Sequence, residues 1–230
     1  MAGNDTDIRE FGKHTIIQLF SYYTPVQLRV RPQTLFIKQF KNRKTMKKIM
    51  FSDKYGLTRA VLEGRKTQTR RLVSDEMLLD YYNNPEKFFK KLPYHVGDTV
   101  AVLQRYAEII GIMPVEKFLD AFHTDEINDI YCEPGFTNKM FAKASLMPFH
   151  ILITDVRIEK LQTISRDDCL AEGVAEYSDG HRMYYQLSGV PDDQFTTAFA
   201  AYAYLFRHIC GALAWDRNPF VVVYTFKTVV

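Results

Sequence analysis

The chain predicts an α+β fold: a partly closed, mixed β-barrel with flanking helices and two insertions. Three observations lead there. Strand-like segments recur along the whole chain and outweigh the helical ones. They do not alternate with helices as βαβ units would require. The chain also ends on a β-branched and aromatic run, Pro219 to Val229. With 230 residues, 47% of them hydrophobic, there is enough apolar material for one substantial core. No Pro/Gly/Ser-rich linker divides the chain, so residues 46 to 230 are expected to form a single domain.

Taken in order, Ile49 to Ser52 reads as a first strand and Gly56 to Glu63 as a short helix closed by Gly64. Glycine after the last apolar-periodic residue is a helix C′ signal. Lys66 to Val73 reads as the second strand. Residues 74 to 95, rich in Asp, Glu, Lys and Tyr, predict a helical and loop insertion. Gly97-Asp98 marks a turn before a strand from Thr99 to Leu103. Residues 105 to 137 form a second insertion without strong periodicity, and Met140 to Gln162 reads as strand-rich. Ser165 predicts an N-cap, with Asp168 three residues on to close a capping box and Gly173 to end the helix. A longer helix is expected from Asp192 to Cys210, before the terminal strand.

Chemistry concentrates in Glu63-Gly64-Arg65-Lys66-Thr67-Gln68-Thr69-Arg70-Arg71. Four cations and two threonines follow a helix-ending glycine, so they sit at an element boundary. Arginine offers a planar two-pronged donor, and lysine a compact charge whose pKa falls on burial. Such a set suits a phosphate or a polarised carbonyl; a solvated basic strand is the plainer alternative. One geometric condition applies. Along a strand, positions 66 and 69 point to opposite faces. Lys66 and Thr69 converge only if Lys66 lies in the turn before the strand or a bulge intervenes. Thr69 and Arg71 share a face.

Four further pieces follow in fixed order: Val96 to Val100, Ile153 to Gln162, Ser165 to Gly173, and Trp215-Asp216-Arg217-Asn218-Pro219-Phe220-Val221. In this order, from about residue 46 to 230, they resemble the ASCH family of PUA-like barrels. The nearest likeness is to phage and Bacteroides-type members with a Gly-Arg-Lys-Thr-x-Thr-Arg opening and a Trp-Asp-x-Asn-Pro ending. The resemblance implies an RNA- or nucleoside-binding domain with a cationic cleft. In members that hydrolyse N4-acetylcytidine it implies a catalytic lysine, threonine and glutamate, which fall here on Lys66, Thr69 and Glu172. Threonine needs a base to take its proton, and a lysine serves as one only when desolvation or a neighbouring cation lowers its pKa. Arg65, Arg70 or Arg71 is a candidate for that cation, and Arg105 is a further candidate for the cleft. Trp215 is either a base-stacking platform or a packing residue covering the barrel end, with Asp216 and Asn218 making the turn before the last strand. Packing is the favoured reading.

Between Phe11 and Ser52 there are nine Lys or Arg and no acid, whereas from Asp53 onward 20 Lys and Arg face 24 Asp and Glu, a net of −4. Affinity for a polyanion grows with the phosphates neutralised, so recognition by the body must come from a local pocket. Residues 1 to 45 are expected to be a poorly ordered basic segment: either a nucleic-acid-binding arm, or a stretch preceding a true start at Met46. Cys132, Cys169 and Cys210 are far apart and the six histidines scattered, which indicates neither a disulfide framework nor a zinc site. Buried free thiols are expected, with no metal and no cofactor. No apolar run approaches the ~20 residues of a membrane helix, and Asp5, Asp7 and Glu10 oppose a signal peptide, so a cytoplasmic protein is expected. Two functions stay open: binding without turnover, or an amidohydrolase acting on a modified cytidine in the same cleft.

Overall fold

The computed structural model describes residues 46–190 and 195–229. The expectations for residues 1–45 and for 191–194 lie outside them. The helix expected from Asp192 begins only at Ala198, because Thr197 caps it and Phe195 is bridged to Tyr185. The fold is α+β, organised on one five-stranded mixed sheet. Its strands are β1 (Lys47–Ile49), β2 (Gln68–Leu72), β3 (Thr99–Val102), β4 (His150–Lys160) and, last in the chain, the Phe220–Val229 strand, which becomes β7 once a separate hairpin is counted. That hairpin, β5 (Ala175–Ser178) and β6 (Met183–Gln186), pairs antiparallel and has no counterpart in the sequence reading. The spatial order is β1-β3-β4-β7-β2. Only β1 and β3 run parallel; β3–β4, β4–β7 and β7–β2 are antiparallel. Among the described residues no ladder joins β1 to β2, so the sheet is open in its hydrogen bonding.

β4 and β7 form the spine. They pair from His150–Val229 to Lys160–Phe220, with a bulge between Ile153 and Asp155, and an extra residue at such a point bends the strand. Val221, Val222, Val223, Tyr224 and Phe226 of β7 are all buried. Consecutive buried positions mean that both faces are covered, which is why this strand reads as a continuous apolar run and not an alternating one.

The helices fill in around the sheet. α1 (Leu57–Leu62) follows β1, and α2 (Asp75–Asn83) and α3 (Pro85–Lys91) occupy the first predicted insertion. Ser74 and Asn84 cap the two latter helices through their side chains, with Pro85 at the first position of α3. Phe88 and Leu92 anchor this insertion in the main core. The second insertion consists of short helices, α4 (Tyr106–Ile109), α5 (Val115–Phe122), α6 (Ile127–Cys132) and α7 (Pro134–Thr137). With Ala101 and Leu103 they build a second apolar cluster around Tyr106, Ile109, Phe118 and Ile130. Helices of one or two turns cannot display a sustained period, hence the weak signal in the sequence. α8 (Arg166–Ala171), α9 (Ala198–Cys210) and α10 (Ala212–Asp216) complete the chain.

Two strand boundaries and one burial expectation depart from the sequence reading. The first strand is Lys47–Ile49, earlier than Ile49 to Ser52, because its hydrogen bonds are set by β3. The stretch from Met140 to Gln162 holds a single strand beginning at His150; Lys139–Phe141 and Ala144–Leu146 are 3₁₀ turns. Of the three cysteines, Cys169 is buried, Cys210 half-buried and Cys132 exposed, so the expectation of buried thiols fails at Cys132. No helix among the described residues is long and apolar enough to cross a membrane.

Candidate functional site

Two helix ends build the site. At the end of α1, Gly64 adopts a φ of +73°, the left-handed conformation glycine reaches without penalty. Its N–H donates to the Val61 carbonyl at 3.0 Å, and the Arg65 N–H donates to Ala60 at 2.9 Å. These are the two bonds of a Schellman motif, and the sequence reading of Gly64 holds. The Lys66 N–H also donates to Ala60. Lys66 therefore leaves from the turn, two residues before β2 begins at Gln68. That satisfies the geometric condition set by strand alternation, and Lys66 and Thr69 face one cavity.

The second end belongs to α8. Ser165 Oγ accepts from the Asp168 N–H at 3.1 Å, the first half of the expected capping box. Glu172 caps the C-terminus, and Gly173 follows at φ +104° with its own N–H on Leu170 O. A Cβ at Gly173 would lie 3.1 Å from Leu57 Cδ2 and 3.6 Å from Lys66 Cβ and Cδ. Glycine is thus needed for backbone conformation and for the lysine stem to lie against the helix end. The Thr67 N–H donates to Ala171 O at 2.8 Å, and its carbonyl accepts from Phe226 at 2.8 Å. These bonds tie the segment carrying Lys66 to α8 on one side and β7 on the other.

Lys66 is 1% exposed. Its Nζ donates to Glu172 Oε2 at 2.5 Å and to the Glu172 carbonyl at 2.8 Å. The lysine thus complements the negative end of α8 and not that of its own preceding helix. Burial lowers the Lys66 pKa; the Glu172 carboxylate opposes this, while Arg71 and Arg70 push in the same direction as burial. Arg70 holds the other carboxylate oxygen, Glu172 Oε1, at 3.2 Å. It also binds Glu159 at 2.7 Å and Asp168 at 3.2 Å, and Arg157 joins Glu159 and Asp168 at 3.1 and 3.5 Å. A carboxylate at a helix C-terminus is unfavourable alone; two cations hold this one in place.

The cavity above this network measures about 260 Å³. Lys66, Thr69, Arg70, Arg71 and Glu172 supply its polar wall, and Phe51, Leu57, Tyr202, Leu205, Phe206 and Ile209 its apolar wall. Lys66 Nζ lies 5.6 Å from the Phe51 ring centre and the Arg70 guanidinium 6.0 Å from that of Tyr202. Burial pushes the Tyr202 phenol well above its ordinary range. Arg71 donates to the Met50 carbonyl at 2.9 Å.

Five sequence candidates are brought together and three are not. Arg65 lies outside the cavity lining, paired with Glu63 at 2.6 Å on the exposed end of α1. Arg105 starts α4 and pairs with Glu108 at 2.5 Å, also outside that lining. Trp215 is buried in α10 against the rings of Phe199, Tyr202 and Phe206. It packs behind the cavity wall, and Asn218 Oδ1 accepts from the Gln162 N–H at the turn before β7. The sequence reading missed the wall from α9. Its signal was present in the spacing of Tyr202, Leu205, Phe206 and Ile209, an i, i+3, i+4, i+7 stripe, but the stripe does not tell which surface it faces.

No family model matches the chain, and no curated protein does. Among solved structures it is similar to an ASCH domain from Lactobacillus crispatus, at 16% identity and a TM-score of 0.38 over 80% of this chain and 79% of that one. It is also similar to a protein of Enterococcus faecalis from the DUF984 family, at 15% identity and a TM-score of 0.33 over 75% of this chain and 66% of that one.

Proposed function

We propose that this chain is an ASCH-type RNA- or nucleoside-binding protein and that the cavity over Lys66, Thr69, Arg70, Arg71 and Glu172 receives one base with its ribose. The observation carrying this reading is the pairing of a buried, ion-paired polar wall with an aromatic and aliphatic wall across a single small cavity. At about 260 Å³ the cavity lies just below the roughly 300–1,000 Å³ range of small-molecule pockets, which limits an occupant to about one nucleoside and excludes a duplex. Apolar side chains pack a base face, and Arg71 at the half-open edge meets a ribose or phosphate oxygen.

Amide hydrolysis is the second reading, favoured by a specific observation: a fully buried lysine with a lowered pKa lines the same cavity as a threonine. In that reaction Lys66, in its neutral form, takes the Thr69 hydroxyl proton as Thr69 Oγ1 attacks the acyl carbonyl, and returns it to the departing amine while Glu172 keeps the lysine oriented. A water deprotonated by Lys66 then cleaves the acyl-Thr69 ester, freeing the carboxylic acid and restoring the hydroxyl.

Titration with cytidine and short RNA, alongside a turnover assay with N4-acetylcytidine, separates the readings. Lys66→Ala is expected to weaken ligand binding and to abolish turnover where there is any. Thr69→Ala is expected to stop hydrolysis entirely but to cost a binding protein only about 1 kcal/mol, one hydrogen bond. A wild-type protein that neither binds nor turns over these compounds refutes both.

A further inference from the structure

The cavity over Lys66 lies at the seam where the sheet stays open. β1 and β2 are the two edge strands. Thr69, Arg70, Arg71 and Leu72 of β2 line the cavity on one side, and Met50, Phe51 and Ser52, which follow β1, line it on the other. Arg71 spans the gap to the Met50 carbonyl. Side chains 69 and 71 point to one face of β2, and 70 and 72 to the other. One cavity touches residues of both faces only around the free edge of the strand, since β7 occupies the opposite edge.

The backbone hydrogen bonds agree. The Phe226 N–H donates to Thr67 O at 2.8 Å, and the Val73 N–H to Phe220 O at 3.2 Å. In an antiparallel pair every second residue exchanges both bonds with its partner. With Thr69 opposite Tyr224 and Arg71 opposite Val222, Thr69 and Arg71 are the residues that bond to β7. The N–H and C=O groups of Arg70 and Leu72 therefore point away from it. None of these four groups has a backbone partner among the described residues.

Arg70 shows that the free edge opens into the cavity. The residue is 6% exposed and its side chain 0%, so the surface it presents is main chain. The side chains of Lys66, Arg70 and Glu172, by contrast, already pair with one another. A shielded backbone donor or acceptor left without a partner is unfavourable, and a ligand that supplies both partners relieves it.

We propose that the main chain of Arg70 and Leu72 is the recognition edge of this cavity. It takes a planar ring carrying a donor beside an acceptor: the N–H and C=O of a cyclic amide, or the amino group and ring nitrogen of an amidine. Such a ring continues the ladder of β2 as a further strand would, and about 260 Å³ holds one ring system but no added strand. The proposal rests on the nucleoside reading of the cavity and adds which atoms choose the base.

The test is protein-observed NMR on the full chain, titrated with 2-pyridone, its N-methyl derivative and cytidine. Saturable shifts of the Arg70 and Leu72 amide signals are expected with 2-pyridone and cytidine, with slower hydrogen exchange at both amides in the bound state. N-methylation removes the donor of the ring and should weaken binding about tenfold or more. Leu72→Pro deletes an N–H that faces away from β7, where an edge strand tolerates proline. It should weaken binding about fivefold more than Leu72→Ala, which keeps that N–H. The comparison of the two pyridones uses the wild-type protein, so it decides even where the proline variant folds poorly. Equal affinity for 2-pyridone and its N-methyl derivative would overturn the proposal. Cytidine binding that leaves the Arg70 and Leu72 amides unshifted would overturn it while sparing the nucleoside reading. Binding of 2-pyridone at these amides without binding of cytidine would uphold the edge and reject the nucleoside. Binding of neither would reject both.

Discussion

Lys66 is a cation without water, and its state depends on neighbours a few ångströms away. One carboxylate, Glu172, accepts from both Lys66 and Arg70, so a single acidic residue stabilises two buried cations. Removing one partner of such a pair strands the other and typically costs about 3–5 kcal/mol, whereas replacing the whole set with apolar groups need not. The lowered Lys66 pKa has a consequence of definite sign. Between its folded value and the ordinary lysine value, the unfolded chain binds more protons than the folded one. Stability therefore rises with pH through that window, and below the folded value the lysine's full disadvantage is present. Urea denaturation of wild type and Lys66→Met across the alkaline range should show this upward slope in the wild type and lose it in the variant. Equal slopes would mean that Lys66 titrates normally.

At the scale of elements, the site depends on two glycines that close two short helices, and the two do different work. Gly64 has φ +73° and open space where a Cβ would go; Gly173 has φ +104° and would press on Leu57 and Lys66. Gly64→Ala should cost only conformational strain, about 1 kcal/mol, and leave ligand binding alone. Gly173→Ala adds a steric contact to strain of about 1–3 kcal/mol, and should both destabilise further and weaken nucleoside binding by displacing the Lys66 stem. Denaturation midpoints together with cytidine titration of the two variants check this. If the two variants behave alike, the contact between Gly173 and Lys66 is unimportant.

At the scale of the whole molecule, the net charge of +3 conceals an uneven distribution: nine cations lie between Phe11 and Ser52, and from Asp53 onward the excess is acidic. Many of the body's cations are committed to ion pairs, Lys66, Arg70, Arg157 and Lys139 among them. The salt dependence of RNA binding should separate the two parts. A chain beginning at Met46 should show a log–log slope of about −1 to −2, from one or two phosphates met near Arg71, while the full chain should show a steeper one. Indistinguishable slopes would mean that the basic segment does not engage RNA.

What the sequence determined by itself is local. Gly64 and Gly173 as helix ends, Ser165 as an N-cap, the cationic run from Arg65 to Arg71 and the terminal β-branched strand are all properties of a few adjacent residues. Turn geometry, capping and strand propensity act over that range, and so they were legible, as was the condition that Lys66 leave from a turn, or a bulge intervene, for it to share a face with Thr69. The tertiary structure decided everything that needed residues far apart in the chain. Lys66 meets Glu172 across 106 positions, and Asp168 turns toward Arg70 and Arg157. The stripe of α9 became a cavity wall, and Trp215 became packing behind it. Period and propensity say that a face is apolar or a residue charged. Which partner that face or charge meets depends on chain topology, because burial and Coulomb energy are set by three-dimensional neighbours and not by sequence separation.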